Sequence, residues 1–289
     1  MLKKSTMFRH LILFAMALGL VFASCQNSGK SGGKAEGEAA DSSDMAQFAN
    51  DEKFKDAHET PAELKFEGIG QMIEFDTPDG KKGSAYALMA KEPANNYLFV
   101  IHEWWGLNDH IKAEAERLYG YLGNTNVMAL DLYDGKIATD PDKAGEFMQS
   151  IKEERARAII QGAINKAGKD ARIATIGWCF GGGWSLKSSI MEGDQGVACV
   201  MYYGMPVKDA KALAPLKAPI LGIFAKQDEW ITPEVAQTFE SLAKATGKTI
   251  ETHIYDANHA FANPSNPAYN DEAAQQANQE AWSFLKKHL

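Results

Sequence analysis

The sequence lacks several features that would assign it to a particular class of protein. It has three cysteines in 289 residues, a formal net charge of −8, and no basic cluster in the body of the chain. No internal repeat is visible at the periods of solenoid proteins. We therefore expect no nucleic-acid partner and no membrane binding through charge. What is present is a 45% hydrophobic composition, enough for one α/β domain with a sizeable core.

The first 24 residues have the composition of an export signal. Basic residues precede the apolar run 11–22, which is too short to span a bilayer comfortably. Small residues then precede Cys25, so residues 1–24 resemble a bacterial lipoprotein signal that ends with lipidation of this cysteine, although Phe22 is larger than usual there. The alternatives are an ordinary cleaved signal and an uncleaved anchor. We expect an exported protein, lipid-anchored to a bacterial membrane, and Gln26 favours the outer membrane and periplasm over the inner membrane.

Residues 25–60 are rich in Gly, Ser, Ala, Lys and Glu and contain almost no large apolar side chains. Such a composition buries too little surface to fold, and it predicts a flexible tether. A short helix near 45–54 is the alternative, and neither interpretation gives the segment any chemistry. The folded domain is expected to span residues 61–289.

The rest of the chain alternates predicted strands with amphipathic helices. A turn signal at 77–80 joins the first two strands, which predicts an antiparallel hairpin at an edge. The following strand–helix units predict an α/β fold with a mostly parallel, doubly wound sheet of about eight strands and helices on both faces. Strands are predicted at 68–76, 83–90, 97–102, 126–132, 172–177, 197–203, 219–225 and 250–255, and helices at 109–123, 141–149, 153–168, 180–192, 233–246 and 271–287.

The most informative motif surrounds Cys179. An apolar strand, 173–176, runs directly into Gly177-Trp178-Cys179-Phe180-Gly181, and a helix-length segment follows. This is the pattern of a nucleophile elbow with cysteine in place of serine, in which a side chain at either glycine would clash with the adjacent strand or helix. The dipole of the helix that follows would favour a thiolate. A buried structural cysteine or a phosphate-binding loop is the alternative.

Two further polar residues follow later strands in the order expected for an acyl-transfer triad. Asp228 follows the strand at 219–225, and His259 follows the strand at 250–255. Nucleophile, acid, histidine is the chain order of α/β-hydrolases, in which the histidine moves the proton and the acid orients it. Asp228 as a helix cap, Glu229 as the acid, and a merely solvated His259 are the alternatives.

The segment after the strand at 97–102 opens the loop that carries the second oxyanion amide in an α/β-hydrolase. We therefore expect the backbone N–H groups of Trp104 and Phe180 to form the oxyanion hole. Packing is the alternative role for the Trp104 side chain.

The other cysteine and histidines carry no predicted function. Cys199 lies within an apolar strand, so a disulfide to Cys179 at a strand end is disfavoured by geometry. His102, His110 and His253 have no convincing spacing to a metal-binding partner. We expect no metal and no cofactor.

Taken together and in order, these motifs resemble the dienelactone hydrolase family over residues 65–289. The resemblance implies the α/β-hydrolase fold and an interaction of Glu103 with the resting thiol, which ionises once substrate displaces that contact. A salt-bridged or solvated Glu103 is the alternative. The motifs are His102-Glu103-Trp104-Trp105-Gly106, Asp131-Leu132-Tyr133, Gly177-Trp178-Cys179-Phe180-Gly181-Gly182, Tyr202-Tyr203-Gly204, Gln227-Asp228 and His259-Ala260-Phe261.

The substrate-binding positions depart from the family pattern. Two arginines hold the substrate carboxylate in that family, whereas this chain has Gly135, followed by Lys136, and Asn263 at the matching positions. One lysine does not replace a bidentate arginine pair. The resemblance therefore places Tyr133, Lys136, Tyr203 and Asn263 at the substrate site without implying that dienelactone is the substrate, and Tyr203 as a core residue is equally compatible with the sequence.

The sequence therefore predicts a monomeric hydrolase that cleaves a small-molecule ester or lactone through an acyl-cysteine intermediate. Cys179 is the predicted nucleophile, His259 the base and Asp228 its partner. Three alternatives remain at this point: a thioesterase or acyltransferase with the same triad, a non-catalytic binding lipoprotein, and a thiol redox protein using Cys179.

Overall fold

The computed structural model describes residues 45–289, which belong to one compact unit. The predicted signal (1–24), the predicted lipidation site Cys25 and the first part of the predicted tether lie outside the described residues. Among the helices of residues 45–289, none combines the length and the hydropathy needed to cross a membrane.

Eight strands form a single sheet. They are β1 (Gln71–Asp76), β2 (Lys82–Leu88), β3 (Asn96–Ile101), β4 (Asn126–Leu130), β5 (Arg172–Trp178), β6 (Gly196–Tyr202), β7 (Ile220–Ala225) and β8 (Ile250–Tyr255). Their order is β1-β2-β4-β3-β5-β6-β7-β8. β1 pairs antiparallel with β2, and β2 with β4, whereas all later neighbours are parallel. The edge hairpin and the mostly parallel sheet are confirmed.

The helices cover both faces of this sheet. Every residue of β4 and β7 is buried, which requires a layer on each side of the strands. α2 packs against β4 and α8, α4 packs against α5 and strands β1, β2 and β4, and α5 packs against β3, β5 and β6. The helices are α1 (Glu52–Asp56), α2 (Asp109–Leu122), α3 (Pro141–Ser150), α4 (Glu153–Ala167), α5 (Phe180–Glu192), α6 (Ala210–Leu213), α7 (Pro233–Ala245) and α8 (Asp271–His288), with 3₁₀ turns at Met45–Phe48 and Gly193–Gln195.

For two of the strands that differ from their predicted limits, side chains take over the backbone hydrogen bonds at the altered end. β1 begins three residues late, since the N–H groups of Ile69 and Gly70 donate to the Glu116 carboxylate. β4 ends early at Leu130, since the Asp131 carboxylate accepts from Tyr133 N and Gly135 N and so closes a turn.

The predicted tether is wrong for residues 45–58, which fold onto the domain. Met45 and Phe54 are fully buried, and Asp51 caps α1 by accepting from the N–H groups of the helix's first turn. Asp51 Oδ2 also accepts a hydrogen bond from Trp230 Nε1 at 3.2 Å. A few well-placed apolar side chains are enough to dock a segment whose average composition is that of a linker. The folded domain therefore begins by residue 45 and not at residue 61.

Candidate active site

Cys179 occupies the sharp turn between β5 and α5. Its backbone has φ 54°, a conformation that is strained for a residue other than glycine. A Cβ at Gly177 would lie 2.1 Å from the carbonyl oxygen of Gly181, and a Cβ at Gly181 would lie 2.3 Å from that of Ile101. The predicted steric need for both glycines is confirmed, and the turn is a strand–elbow–helix unit.

The Cys179 thiol is buried and unbridged. Its residue is 1% exposed, and Cys199, which is also buried, is likewise a free cysteine among residues 45–289. Burial raises the pKa of the Cys179 thiol and the nearby Glu103 carboxylate raises it further, while His259 and the Phe180 N–H act in the opposite direction. Burial and the Glu103 charge thus favour the protonated form of the sulfur.

Asp228 and His259 form a buried pair at the ends of β7 and β8. His259 Nδ1 donates to Asp228 Oδ2 at 2.6 Å, while Asp228 Oδ1 accepts from Trp230 N and Ile231 N at 2.9 and 2.8 Å. Asp228 is thus fixed by its own loop as well as by the imidazole. Burial by itself would lower the pKa of His259, but the Asp228 carboxylate raises it overall.

The sulfur and the imidazole meet at the carboxyl edge of the sheet. The Cys179 sulfur and a ring nitrogen of His259 lie within 4.8 Å of each other. His259 Nε2 is buried and has no hydrogen-bond partner among residues 45–289. The two groups act on each other at this separation, since His259 lowers the pKa of the thiol and Cys179 raises the pKa of the imidazole. The rival acid Glu229 points away, with its side chain 68% exposed and 3.9 Å from the Lys53 ammonium group.

Glu103 follows β3 on the same edge. Its carboxylate is buried, and Oε2 accepts a hydrogen bond from Asn263 Nδ2 at 2.5 Å. Burial raises the pKa of Glu103 to about 7, although the positive charge of His259 and the Asn263 hydrogen bond lower it in part. A solvated surface position, one of the alternatives for Glu103, is wrong.

A cavity of about 380 Å³ lies directly beside Glu103. Trp105, Trp178 and Asn263 form part of its wall, and Arg117 and Glu114 contribute an ion pair. Arg117 was not singled out from the sequence. It lies on α2, where helical periodicity gives no signal that an exposed-face arginine borders the site.

Residues 45–58 cover the thiol from the other side. The Phe54 ring packs 5.1 Å from the rings of Trp104 and Trp230 and 5.7 Å from His259, measured between centroids. His58 is 3% exposed, and its ring lies 5.4 Å from that of His259. Sequence reasoning missed both residues, because a lone His and a lone Phe in a polar segment carry no pattern that predicts docking.

Of the two predicted oxyanion positions, Phe180 directly follows the thiol-bearing Cys179. Phe180 is the first residue of α5, where a backbone N–H has no intrahelical acceptor. Trp104 lies in the turn after β3 and is fully buried between Phe54 and Trp105. Its side chain therefore packs under the N-terminal segment, while Trp105 lines the cavity.

The four predicted substrate-binding residues do not share one cavity. Asn263 lines the cavity beside Glu103, and Tyr203 is fully buried with its ring 5.0 Å from that of His259. Tyr133 and Lys136 line a separate cavity of about 230 Å³. The structure thus brings Tyr203 and Asn263 to the site and places the Tyr133 ring 5.3 Å from that of Phe180, next to Cys179, whereas Lys136 lies in the second cavity.

His102, His110 and His253 have structural partners. His102 Nδ1 donates to the Glu103 carbonyl at 2.6 Å, and its Nε2 accepts from Leu132 N. His110 Nε2 donates to the Ala62 carbonyl, and His253 pairs with Glu280. The potential metal ligands of the described chain that do converge are His58, Cys179 and His259, whose ligand atoms all lie within 4.8 Å of one another.

Comparisons with known proteins agree with this geometry. "Protein usf" of Aquifex pyrophilus is 29% identical over 241 residues, covering 76% of this chain and all of the relative. A "Putative carboxymethylenebutenolidase" of Saccharolobus solfataricus is 28% identical over 257 residues, covering 74% of this chain and 97% of the relative.

Solved structures and the family profile complete the assignment. A structure from Klebsiella pneumoniae, called "Putative Dienelactone Hydrolase", superposes with a TM-score of 0.64 at 22% identity, covering 75% of this chain and 99% of the other. This similarity shows the shared α/β fold. The profile of the dienelactone hydrolase family matches residues 84–289, well over half of the sequence. The chain therefore belongs to the dienelactone hydrolase family and is an ester hydrolase with a small-molecule substrate.

Proposed function

We propose that the protein hydrolyses a carboxylic ester or lactone through an acyl-cysteine intermediate, with Cys179, His259 and Asp228 as its catalytic triad. The observation that carries the proposal is the convergence, at one edge of the sheet, of an elbow-borne thiol and a carboxylate-held imidazole. Membership of an ester-hydrolase family supports the reaction class.

The proposed reaction begins with proton transfer from the Cys179 thiol to His259 Nε2. The sulfur then bonds to the substrate carbonyl carbon, and the carbonyl oxygen becomes an oxyanion held by the N–H groups of Trp104 and Phe180. Collapse of this intermediate breaks the carbon–oxygen bond of the ester, and His259 returns its proton to the departing alkoxide. Water, deprotonated by His259, then cleaves the thioester and releases the acid and the thiol.

Asp228 stabilises the imidazolium and fixes its tautomer in this scheme. Its Oδ2 accepts from His259 Nδ1, so the neutral ring has its lone pair on Nε2, the nitrogen without a partner among residues 45–289. The fixed loop contacts of Asp228 Oδ1 hold the carboxylate in place as the charge on the ring changes.

Glu103 is proposed to keep the thiol protonated until substrate is bound. Its negative charge raises the pKa of Cys179, and its carboxylate borders the cavity in which a substrate would lie. A substrate that displaces or neutralises the carboxylate would remove this charge from beside the sulfur. A thiol that ionises only with substrate present resists oxidation, which favours an exported enzyme.

The substrate class follows from the cavity. Its volume of about 380 Å³ suits a small ester or lactone, and its wall combines tryptophans with a few polar groups. Dienelactone itself is not proposed, because Gly135 and Asn263 replace the arginines that the family uses for the carboxylate.

The test compares Cys179→Ala with Cys199→Ala on a panel of aryl esters, lactones and thioesters. Cys199 is a fully buried thiol that lies on β6 away from the site, so its variant controls for loss of a cysteine. We expect background hydrolysis from Cys179→Ala and activity within a few-fold of wild type from Cys199→Ala. Wild-type turnover by Cys179→Ala contradicts the mechanism, and preferential acyl transfer to added alcohols would assign an acyltransferase instead.

The proposed location is the bacterial envelope, with the protein lipid-anchored through Cys25. This part of the proposal rests on the sequence of residues 1–25 alone. Incorporation of labelled fatty acid into the wild-type protein, and its loss in Cys25→Ser, is the expected result. Equal labelling of the two proteins contradicts it.

A further inference from the structure

His58 brings a second imidazole to the sulfur of Cys179. His58, Cys179 and His259 are 3%, 1% and 3% exposed, and their ligand atoms lie within 4.8 Å of one another. Phe54, on the same segment, closes this cluster from above. A thiol and two imidazoles therefore converge in one buried cluster.

In each imidazole, Nδ1 makes a hydrogen bond and Nε2 makes none within the described residues. His259 Nδ1 donates to Asp228 Oδ2, and His58 Nδ1 donates to the carbonyl oxygen of Phe54, both at 2.6 Å. The Nε2 atoms of both rings are buried and lack a hydrogen-bond partner among residues 45–289. An unsatisfied buried polar atom costs about 1–3 kcal/mol, so two of them together indicate a missing ligand.

This arrangement is the one found around metal-binding histidines. Such a histidine gives its second nitrogen to a carboxylate or a backbone carbonyl, which fixes the tautomer and turns the lone pair toward the ion. Here Asp228 supplies the carboxylate for His259, and Phe54 supplies the carbonyl for His58. Because each Nδ1 donates, the neutral ring of each histidine carries its lone pair on Nε2.

We propose that His58 Nε2, Cys179 Sγ and His259 Nε2 bind one divalent transition-metal ion of the zinc type. Mixed thiolate and imidazole ligands select zinc-like ions over magnesium or calcium. With bonds of about 2.3 Å to sulfur and about 2.0 Å to nitrogen, tetrahedral ligands lie roughly 3.3–3.7 Å apart. The three side chains therefore need to close by at most about 1.5 Å, and a water molecule that enters with the ion completes the coordination.

Charge balance accompanies binding. The ion displaces the thiol proton and, wherever His259 is protonated, the proton on its Nε2, so protons are released as the metal bonds form, and no oxidant or reductant is involved. The thiolate and the Asp228 carboxylate then offset the two positive charges. Glu103, which already acts on the thiol through its charge, adds further negative potential.

The consequence for activity rests on the proposed function, whereas metal binding itself does not. The ion occupies the proposed nucleophile and the proposed base together, so the loaded enzyme is inactive. The third ligand lies on the segment 45–58, so the ion also ties this segment to the domain. The metal site is thus a reversible off-switch for the hydrolase.

The experiment titrates Co²⁺ into the purified, chelator-treated protein and records its absorption spectrum. We expect one ion per chain, with a thiolate-to-cobalt charge-transfer band and the visible bands of a tetrahedral ion. His58→Asn should weaken binding by at least about tenfold, since it removes a ligand. His110→Asn is the matched control, because His110 borders the neighbouring cavity but bonds to the Ala62 carbonyl.

A second variant keeps the test independent of how well His58→Asn folds. Cys179→Ser preserves the size of the side chain and must abolish the charge-transfer band. Wild-type Co²⁺ affinity in His58→Asn, or a charge-transfer band that persists in Cys179→Ser, overturns the proposed site.

Zn²⁺ inhibition separates the site from the catalytic proposal. We expect Zn²⁺ to inhibit ester hydrolysis by the wild-type protein, a chelator to restore it, and His58→Asn to need at least about tenfold more Zn²⁺ for the same fractional loss. Faster hydrolysis with bound Zn²⁺ overturns the off-switch. A protein that binds Co²⁺ as described but hydrolyses no ester retains the metal site and refutes the proposed function.

Discussion

Asn263 Nδ2 donates a hydrogen bond to Glu103 Oε2 at 2.5 Å, at a position where the family pattern has an arginine. A neutral amide holds the carboxylate in place without supplying a positive charge. The effect of burial is therefore larger than the opposing effects of Asn263 and His259, and the pKa of Glu103 rises to about 7. In this protein the charge beside the thiol is itself sensitive to pH near neutrality.

Glu103→Gln should increase the rate at which iodoacetamide alkylates Cys179. The glutamine still accepts from Asn263, but it lacks the negative charge that raises the pKa of the thiol. Because Glu103 is ionised above about pH 7, the difference from wild type should grow above that pH and vanish well below it. Glu114→Gln is the control, since Glu114 is also buried but is not among the groups acting on the thiol. Equal rates at every pH would remove the role given to Glu103.

Asp228→Asn should lower kcat for an aryl ester by about 10³–10⁴-fold with the fold intact. Trp230 N and Ile231 N hold Oδ1, so the new amide must turn its NH₂ group toward His259 Nδ1. His259 then carries its proton on Nε2, the nitrogen that should accept the thiol proton. Glu229→Gln, beside it but exposed, should leave kcat unchanged. A loss smaller than about tenfold in Asp228→Asn would show that another group orients the ring.

Phe54→Ala should expose the thiol. Truncating a fully buried phenylalanine costs about 3–5 kcal/mol, and here the loss falls on the segment that covers Cys179 and His259. Alkylation of Cys179 should speed up under conditions in which the variant is still folded by circular dichroism. Phe239→Ala removes an equally large buried ring on α7 and should leave the alkylation rate of the folded protein unchanged. Similar acceleration by both variants would point to general loosening.

Glu192→Gln should make stability less dependent on pH. Burial at the end of α5 raises the pKa of this carboxyl group from 4.5 to about 8, although Ser188 donates to it. The folded state then binds more protons than the unfolded state between these values, so the Glu192 contribution to stability falls as pH rises from about 4.5 to about 8. Relative to wild type, the variant should gain ~2 kcal/mol or more between about pH 5 and pH 8, measured by urea unfolding. Parallel profiles for the two proteins would contradict the raised pKa.

The hydrophobic pattern predicted the sheet well, because parallel strands that are covered on both faces appear in the sequence as short continuous apolar runs. Cys179, Asp228 and His259 could be placed together because each follows a strand of the same parallel sheet, and such ends share one edge. The limits of β1 and β4 were missed because they depend on Glu116 and Asp131 side chains.

The parts of the site that were missed depend on tertiary contacts of residues without a periodic pattern. Phe54 and His58 reach the site from a segment of linker-like composition, and Arg117 borders the cavity from an otherwise ordinary helix. Tyr133 and Lys136 follow β4, but the turn closed by Asp131 directs them to a different cavity. Chain order alone does not contain this information.

Because residues 45–58 pack against the active site, a recombinant protein for assays must include them. A version that starts at residue 61, as the composition suggests, would lack the rings of Phe54 and His58, which cover the Cys179 sulfur. In that version Trp104 and Trp230 would be exposed to solvent, and the Cys179 thiol would be easily oxidised. Substrate screens on it would therefore rank compounds for a pocket whose walls differ from those of the intact enzyme.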